Sequence, residues 1–159
     1  MKREKDLQER GITLVGGLSE RDLFIAGISL YWGEGDKKRR DFKIVNSDPD
    51  LIKFVLNWIR KILKINNQRL SASIFINKRH GARLEEVKDY WIRITRIPQE
   101  QFTKTILIKS RSKKNYDNFP KHYGTIAIRV KNPAPLHGLI LGLIEGLKKG
   151  GLEKEKIFK

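Results

Sequence analysis

The chain has no cysteine among its 159 residues. That excludes disulfides, Cys-based zinc sites, iron–sulfur clusters and thiol catalysis. Long apolar runs are missing too. The longest are broken by charge well short of a membrane span, and the opening MKREKDLQERG is charged, without an apolar secretion segment. The expectation is a cytoplasmic or other intracellular protein with no membrane partner. Acidic residues are scarce: 18 Asp and Glu face 34 Lys and Arg, for a formal charge of +16. This excess goes beyond what solubility asks and steers a protein toward nucleic acid or an anionic membrane. The basic residues are spread over several predicted strands instead of forming one lipid-facing helical stripe, which favours nucleic acid. The three histidines, His80, His122 and His137, are too scattered to form a recognisable zinc motif.

What is present is enough for one folded domain. The hydrophobic fraction is 39%, which argues against a disordered basic tail. Residues 1–18, with a charged helical turn over the first ten and a short β-like run at Ile12, Thr13, Leu14 and Val15, keep two readings open, a leader packed on the domain edge or the remnant of a linker. The domain proper is expected over residues 19–150, with a charged tail at 151–159. Ser19, with Asp22 three positions on, resembles a capping box and opens a helix over 20–33. Gly35 then releases the chain, for which a positive φ is expected. Phe42 and Ile44 alternate with Lys43 in a half-buried strand over 41–46. Pro49 begins an amphipathic helix running to about residue 64. A strand at 70–77, a helix at 83–95, strands at 103–109 and 124–131 and a helix at 135–149 complete the order. Helices packed on one face of a sheet, an α+β domain, account for it.

The most informative phrase is residues 27–35, Gly-Ile-Ser-Leu-Tyr-Trp-Gly-Glu-Gly. Ala26, Ser29 and Gly33 recur on one helical stripe, where small side chains let two backbones approach closely, and Leu23 and Leu30 extend that stripe with apolar bulk. An acid, Glu34, stands at the end of this stripe. The phrase resembles the signature helix of the LAGLIDADG proteins, and the order of elements over about residues 20–148 suits that family. Glu34 matches the penultimate acid and Gly35 the terminal glycine. Trp32 stands where the family often has Asp, and Gly27 replaces its common first Leu.

The resemblance implies a curved antiparallel sheet with helices on one face, and, since one signature is present, a homodimer joined through Leu23, Ala26, Ser29, Leu30 and Gly33. It implies Mg²⁺ or another divalent metal held by Glu34 with a backbone carbonyl near Gly33, and a basic residue after the last strand, Lys131, as a catalytic or phosphate-balancing group. The reaction implied is site-specific hydrolysis of double-stranded DNA, in the setting of homing.

The sheet pattern adds candidate DNA contacts. Ile126, Ile128 and Val130 alternate with Arg129 and Lys131, so one face is apolar and the other cationic. Lys37, Lys38, Arg39, Arg40, Lys43, Ser71, Ser73, Lys109, Arg111, Lys113, Lys114 and Lys121 extend this surface through strands and loops. The competing reading is a DNA-binding regulator or RNA-processing factor that never cuts.

Overall fold

The computed structural model describes residues 2–37, 41–109 and 122–152. Among the described residues, five α-helices and four strands follow one another as α1 (Lys2–Val15), α2 (Glu20–Glu34), β1 (Lys43–Asn46), α3 (Pro49–Lys61), β2 (Leu70–Asn77), α4 (Leu84–Thr95), β3 (Phe102–Ile108), β4 (Thr125–Val130) and α5 (Ala134–Leu152). The architecture is α+β, as the residue pattern leads one to expect.

Side-chain caps open α2 and α3. The Ser19 hydroxyl accepts from the Asp22 amide at 3.2 Å, and the Asp22 carboxylate accepts from the Ser19 amide at 2.8 Å. This reciprocal box begins α2. Asp48 accepts from the Asp50 and Leu51 amides, and Pro49 follows where a missing N–H costs nothing. A left-handed residue, Arg96, closes α4. Residues 12–15, β-like by composition, belong to α1 instead, and the Thr13 hydroxyl donates back to the Glu9 carbonyl at 2.9 Å. The described side chains of α1 are all exposed, Leu14 at 77%.

The strand order is β1-β4-β2-β3. β4 pairs antiparallel with β1 and β2, but β3 runs parallel to β2. The expected antiparallel sheet is therefore mixed. The reason is the connection: α4 carries the chain between β2 and β3, and a helical crossover delivers the next strand in the same direction. Ahead of β1, an isolated antiparallel bridge joins Gly35 to Ile44.

The core lies between the sheet and the helices. Ile44, Ala72, Ile74, Ile126 and Ile128 meet Ile52, Val55, Leu56 and Ile59 of α3 and Val87 and Trp91 of α4. At its centre Tyr31, Phe42 and Trp58 form an aromatic group, with Tyr31 and Phe42 stacked at 4.5 Å between centroids. Trp58 presses its five-membered ring onto α2 at Gly27, where a Cβ would stand 2.2 Å from Cδ1. The packing reason for Gly27 thus lies inside one chain. Gly27→Ala should lower stability by about 1–3 kcal/mol through overpacking. Gly146→Ala, in α5 with open space around it, should gain up to about 1 kcal/mol from helix propensity. Urea unfolding of both variants checks the contrast, and equal effects would contradict the packing role.

Candidate nucleic-acid interface and acidic helix end

With Gly27, Ile28 and Tyr31 turned to the core, α2 presents its remaining surface elsewhere. Arg21, Phe24, Ile25 and Ser29 line a groove of about 640 Å³ against Gly142 and Gly146 of α5. The small-residue stripe shares Ser29 with this groove and continues round the other flank through Ala26 and Gly33. Ser29 and Gly33 are exposed, and Leu23, Ala26 and Leu30 are half-buried. Nothing lies within 4 Å of where a Gly33 Cβ would be. All five residues expected at a helix–helix interface therefore retain accessible surface on α2. The Ser29 hydroxyl is satisfied by the Ile25 carbonyl at 2.9 Å, so the stripe offers no unpaired polar group there to a close neighbour.

Glu34 is the last residue of α2 and is exposed. Gly35 is not in the expected positive-φ conformation; it is extended, at φ −79°. What requires glycine there is Tyr31, because a Cβ would lie 2.6 Å from its ring. The buried Tyr31 phenol is pushed up to about 12 by desolvation, so it stays protonated and donates to the Asp36 carbonyl at 2.8 Å. This bond holds the chain as it leaves Glu34.

Beyond the helix end, Lys37, Lys43 and Arg129 all have partners. The Lys37 ammonium donates to the Trp32 carbonyl at 2.7 Å and the Gly35 carbonyl at 2.9 Å. It is thus a cap on the negative end of the helix. Lys43 meets Asp36 at 3.0 Å, and Arg129 meets Asp41 at 3.5 Å. Lys43, Arg129 and Ser71 are paired residues in neighbouring strands and make one row across the sheet. Ser73 is 95% removed from solvent, and its hydroxyl shares a 2.9 Å hydrogen bond with Thr103. Lys131 is one residue past the end of β4 and three from Ile128, the row that contains Ile44 and Gly35, or about 10 Å. Its ammonium donates to the Gln68 carbonyl at 3.2 Å, and Arg69 braces the Lys131 and Asn132 carbonyls at 3.0 Å. Lys109 is exposed at the end of the edge strand β3. Lys38, Arg39, Arg40, Arg111, Lys113, Lys114 and Lys121 lie outside the described residues.

The structure therefore gathers Glu34, Lys37, Lys43 and Arg129 around the region where α2 meets the sheet, and leaves Lys131 just past the end of β4. Two acids escaped the sequence reading, Asp36 and Asp41. Their pairing depends on the Gly35–Ile44 bridge and on β4 lying beside β1, neither of which is local. The glycine series Gly138, Gly142, Gly146 and Gly150 in α5 was visible as a four-residue period, and part of it forms the α2–α5 groove. Asp36→Asn with Asp41→Asn should release Lys43 and Arg129 for an anionic ligand, so the double variant should elute from immobilised heparin at higher salt. Unchanged elution would mean that the two pairs do not restrain these cations.

No protein-family model, curated protein or solved structure matches this chain.

Proposed function

We propose that this protein binds double-stranded DNA as a homodimer joined along α2 and hydrolyses it with a divalent metal at the paired Glu34 carboxylates. The observation that carries this reading is the accessible stripe of Ala26, Ser29 and Gly33, which runs to an exposed acid at the helix end. A two-fold contact on that stripe brings two copies of Glu34 together, one for each DNA strand. The net charge of +16 supplies attraction to the phosphate backbone.

The donors suit Mg²⁺ only in that assembly. Among the described residues of one chain, no group of three or more His, Asp or Glu side chains is assembled for a metal ion. Mg²⁺ commonly takes one or two carboxylates and completes its shell with water and substrate phosphates, which two Glu34 side chains, the Gly33 carbonyls and DNA can provide. When bound, such an ion activates water and neutralises charge on the departing oxygen. This chain's own residues have simpler tasks. Lys43 and Arg129 exchange Asp36 and Asp41 for phosphates. Tyr31 holds the segment that follows Glu34 in place.

One observation favours a second reading, a DNA-binding regulator or RNA-processing factor that does not cut. The Lys37 ammonium lies on the Trp32 and Gly35 carbonyls, either side of Gly33, so a cation already neutralises this helix end. Wild type and Glu34→Gln, incubated with a randomised duplex library in Mg²⁺, separate the readings. Hydrolysis predicts double-strand breaks by wild type that fall to background in the variant, with DNA affinity largely kept. Equal cleavage by both proteins contradicts the role of Glu34. Tight selective binding without breaks across divalent metals supports the second reading.

A further inference from the structure

Lys43 and Arg129 on the sheet have acidic partners, but a group on the helical side does not. A cleft of about 340 Å³ runs along the seam between α3 and α4, lined by Lys53, Asn57, Arg60, Lys61, Arg93 and Arg96, with no acid in its lining. Lys53 pairs with Asp50 at its margin. Among the described residues, Arg60, Lys61, Arg93 and Arg96 have no ion pair.

These four cations converge because α3 and α4 pack side by side and end together. Ile52, Val55 and Ile59 of α3 and Val87 and Trp91 of α4 are buried in the core, whereas Lys53, Lys61, Arg93 and Arg96 are exposed. The cleft therefore opens on the outer side of the helical layer, away from the strand face that carries Lys43 and Arg129. Helix dipoles account for Lys61 and Arg93 in the last turns. They do not account for two helix ends directed to one acid-free cleft.

Arg60 is also held in place. Its Nε and one terminal nitrogen donate to the Asn67 side chain at 3.2 and 2.6 Å, and that nitrogen donates to the Thr95 carbonyl at 2.6 Å. Burial, and after it the neighbouring Arg96, holds the Arg60 guanidinium below its usual range. An anion entering the cleft would relieve this like-charge contact. A fixed guanidinium beside flexible Lys and Arg side chains suits tetrahedral oxyanions joined in a chain.

We infer that the α3–α4 cleft is a second nucleic-acid contact, which takes the phosphodiester backbone through Arg60, Lys61, Arg93 and Arg96 on the side of the molecule opposite the open sheet face. It extends beyond the reading built on α2 and Glu34 and does not depend on it. A duplex seated on the sheet leaves this cleft free for a flanking segment or a structured RNA.

The test is a salt titration of binding by full-length protein to two probes, a short random-sequence DNA duplex and an RNA hairpin. Lys61→Gln with Arg93→Gln removes two exposed cations from the cleft. Each phosphate contact contributes about one to the slope of log affinity against log salt. The double variant should therefore lose about two from that slope, on the DNA probe, the RNA probe or both, and the probe affected identifies the source of the phosphates. Arg3→Gln with Arg10→Gln, on the exposed α1, removes the same charge elsewhere and should change the slope less. Lys61→Arg with Arg93→Lys keeps the charge and should retain the wild-type slope. A slope unchanged on both probes, a loss no larger than that of the α1 pair, or an equal loss in the charge-keeping variant would each overturn the inference.

Discussion

The contact between Trp58 and Gly27 fixes how α2 lies in this fold. A side chain at position 27 would collide with the indole ring, so the two helices meet at a distance that only glycine allows. Trp58 also touches the Tyr31–Phe42 stack, and Tyr31 reaches the Asp36 carbonyl. One aromatic group thus sets the rotation of α2, the exit of the chain past Glu34 and the approach of β1. With that rotation fixed, Ser29 and Gly33 are left exposed and Ala26 half-buried on α2. The accessible stripe and the placement of Glu34 follow from core packing, and the proposed function rests on them.

Electrostatics divides the molecule differently from what composition alone conveys. The net charge of +16 describes an attraction to polyanions without saying where it acts. On the sheet, Lys43 and Arg129 are matched by Asp36 and Asp41, and at the end of α2 Lys37 is engaged by backbone carbonyls. Partly shielded pairs of this kind can exchange an acid for a phosphate, which makes binding sensitive to salt and to the acids themselves. The cleft between α3 and α4 carries its charge without such partners.

Local signals in the sequence were reliable guides. The Ser19–Asp22 box, Asp48 with Pro49 and the apolar spacing of α3 gave helix starts and faces because each depends on residues within a turn or two. The strand over 70–77 was legible for the same reason. The helical state of residues 12–15 was not, because their β-branched side chains favour strands when read apart from the charged turns before them. The parallel direction of β3 was signalled by a strand–helix–strand order, whereas the LAGLIDADG resemblance implied an antiparallel sheet. At the site, the acid and the stripe were legible as spacing. The acids that partner the sheet cations were not, since strand neighbours far apart in sequence bring them together.

The absence of cysteine gives a direct measurement of the central claim, that α2 meets its own copy along the small-residue stripe. A single Ser29→Cys substitution places one thiol on that face, and a disulfide forms only where two Cα atoms come within about 4.4–6.8 Å. Under mild oxidation the account predicts a cross-linked dimer for Ser29→Cys and little for Glu85→Cys, on the exposed first turn of α4. Cross-linking no greater at position 29 than at position 85, with and without duplex DNA, would contradict it.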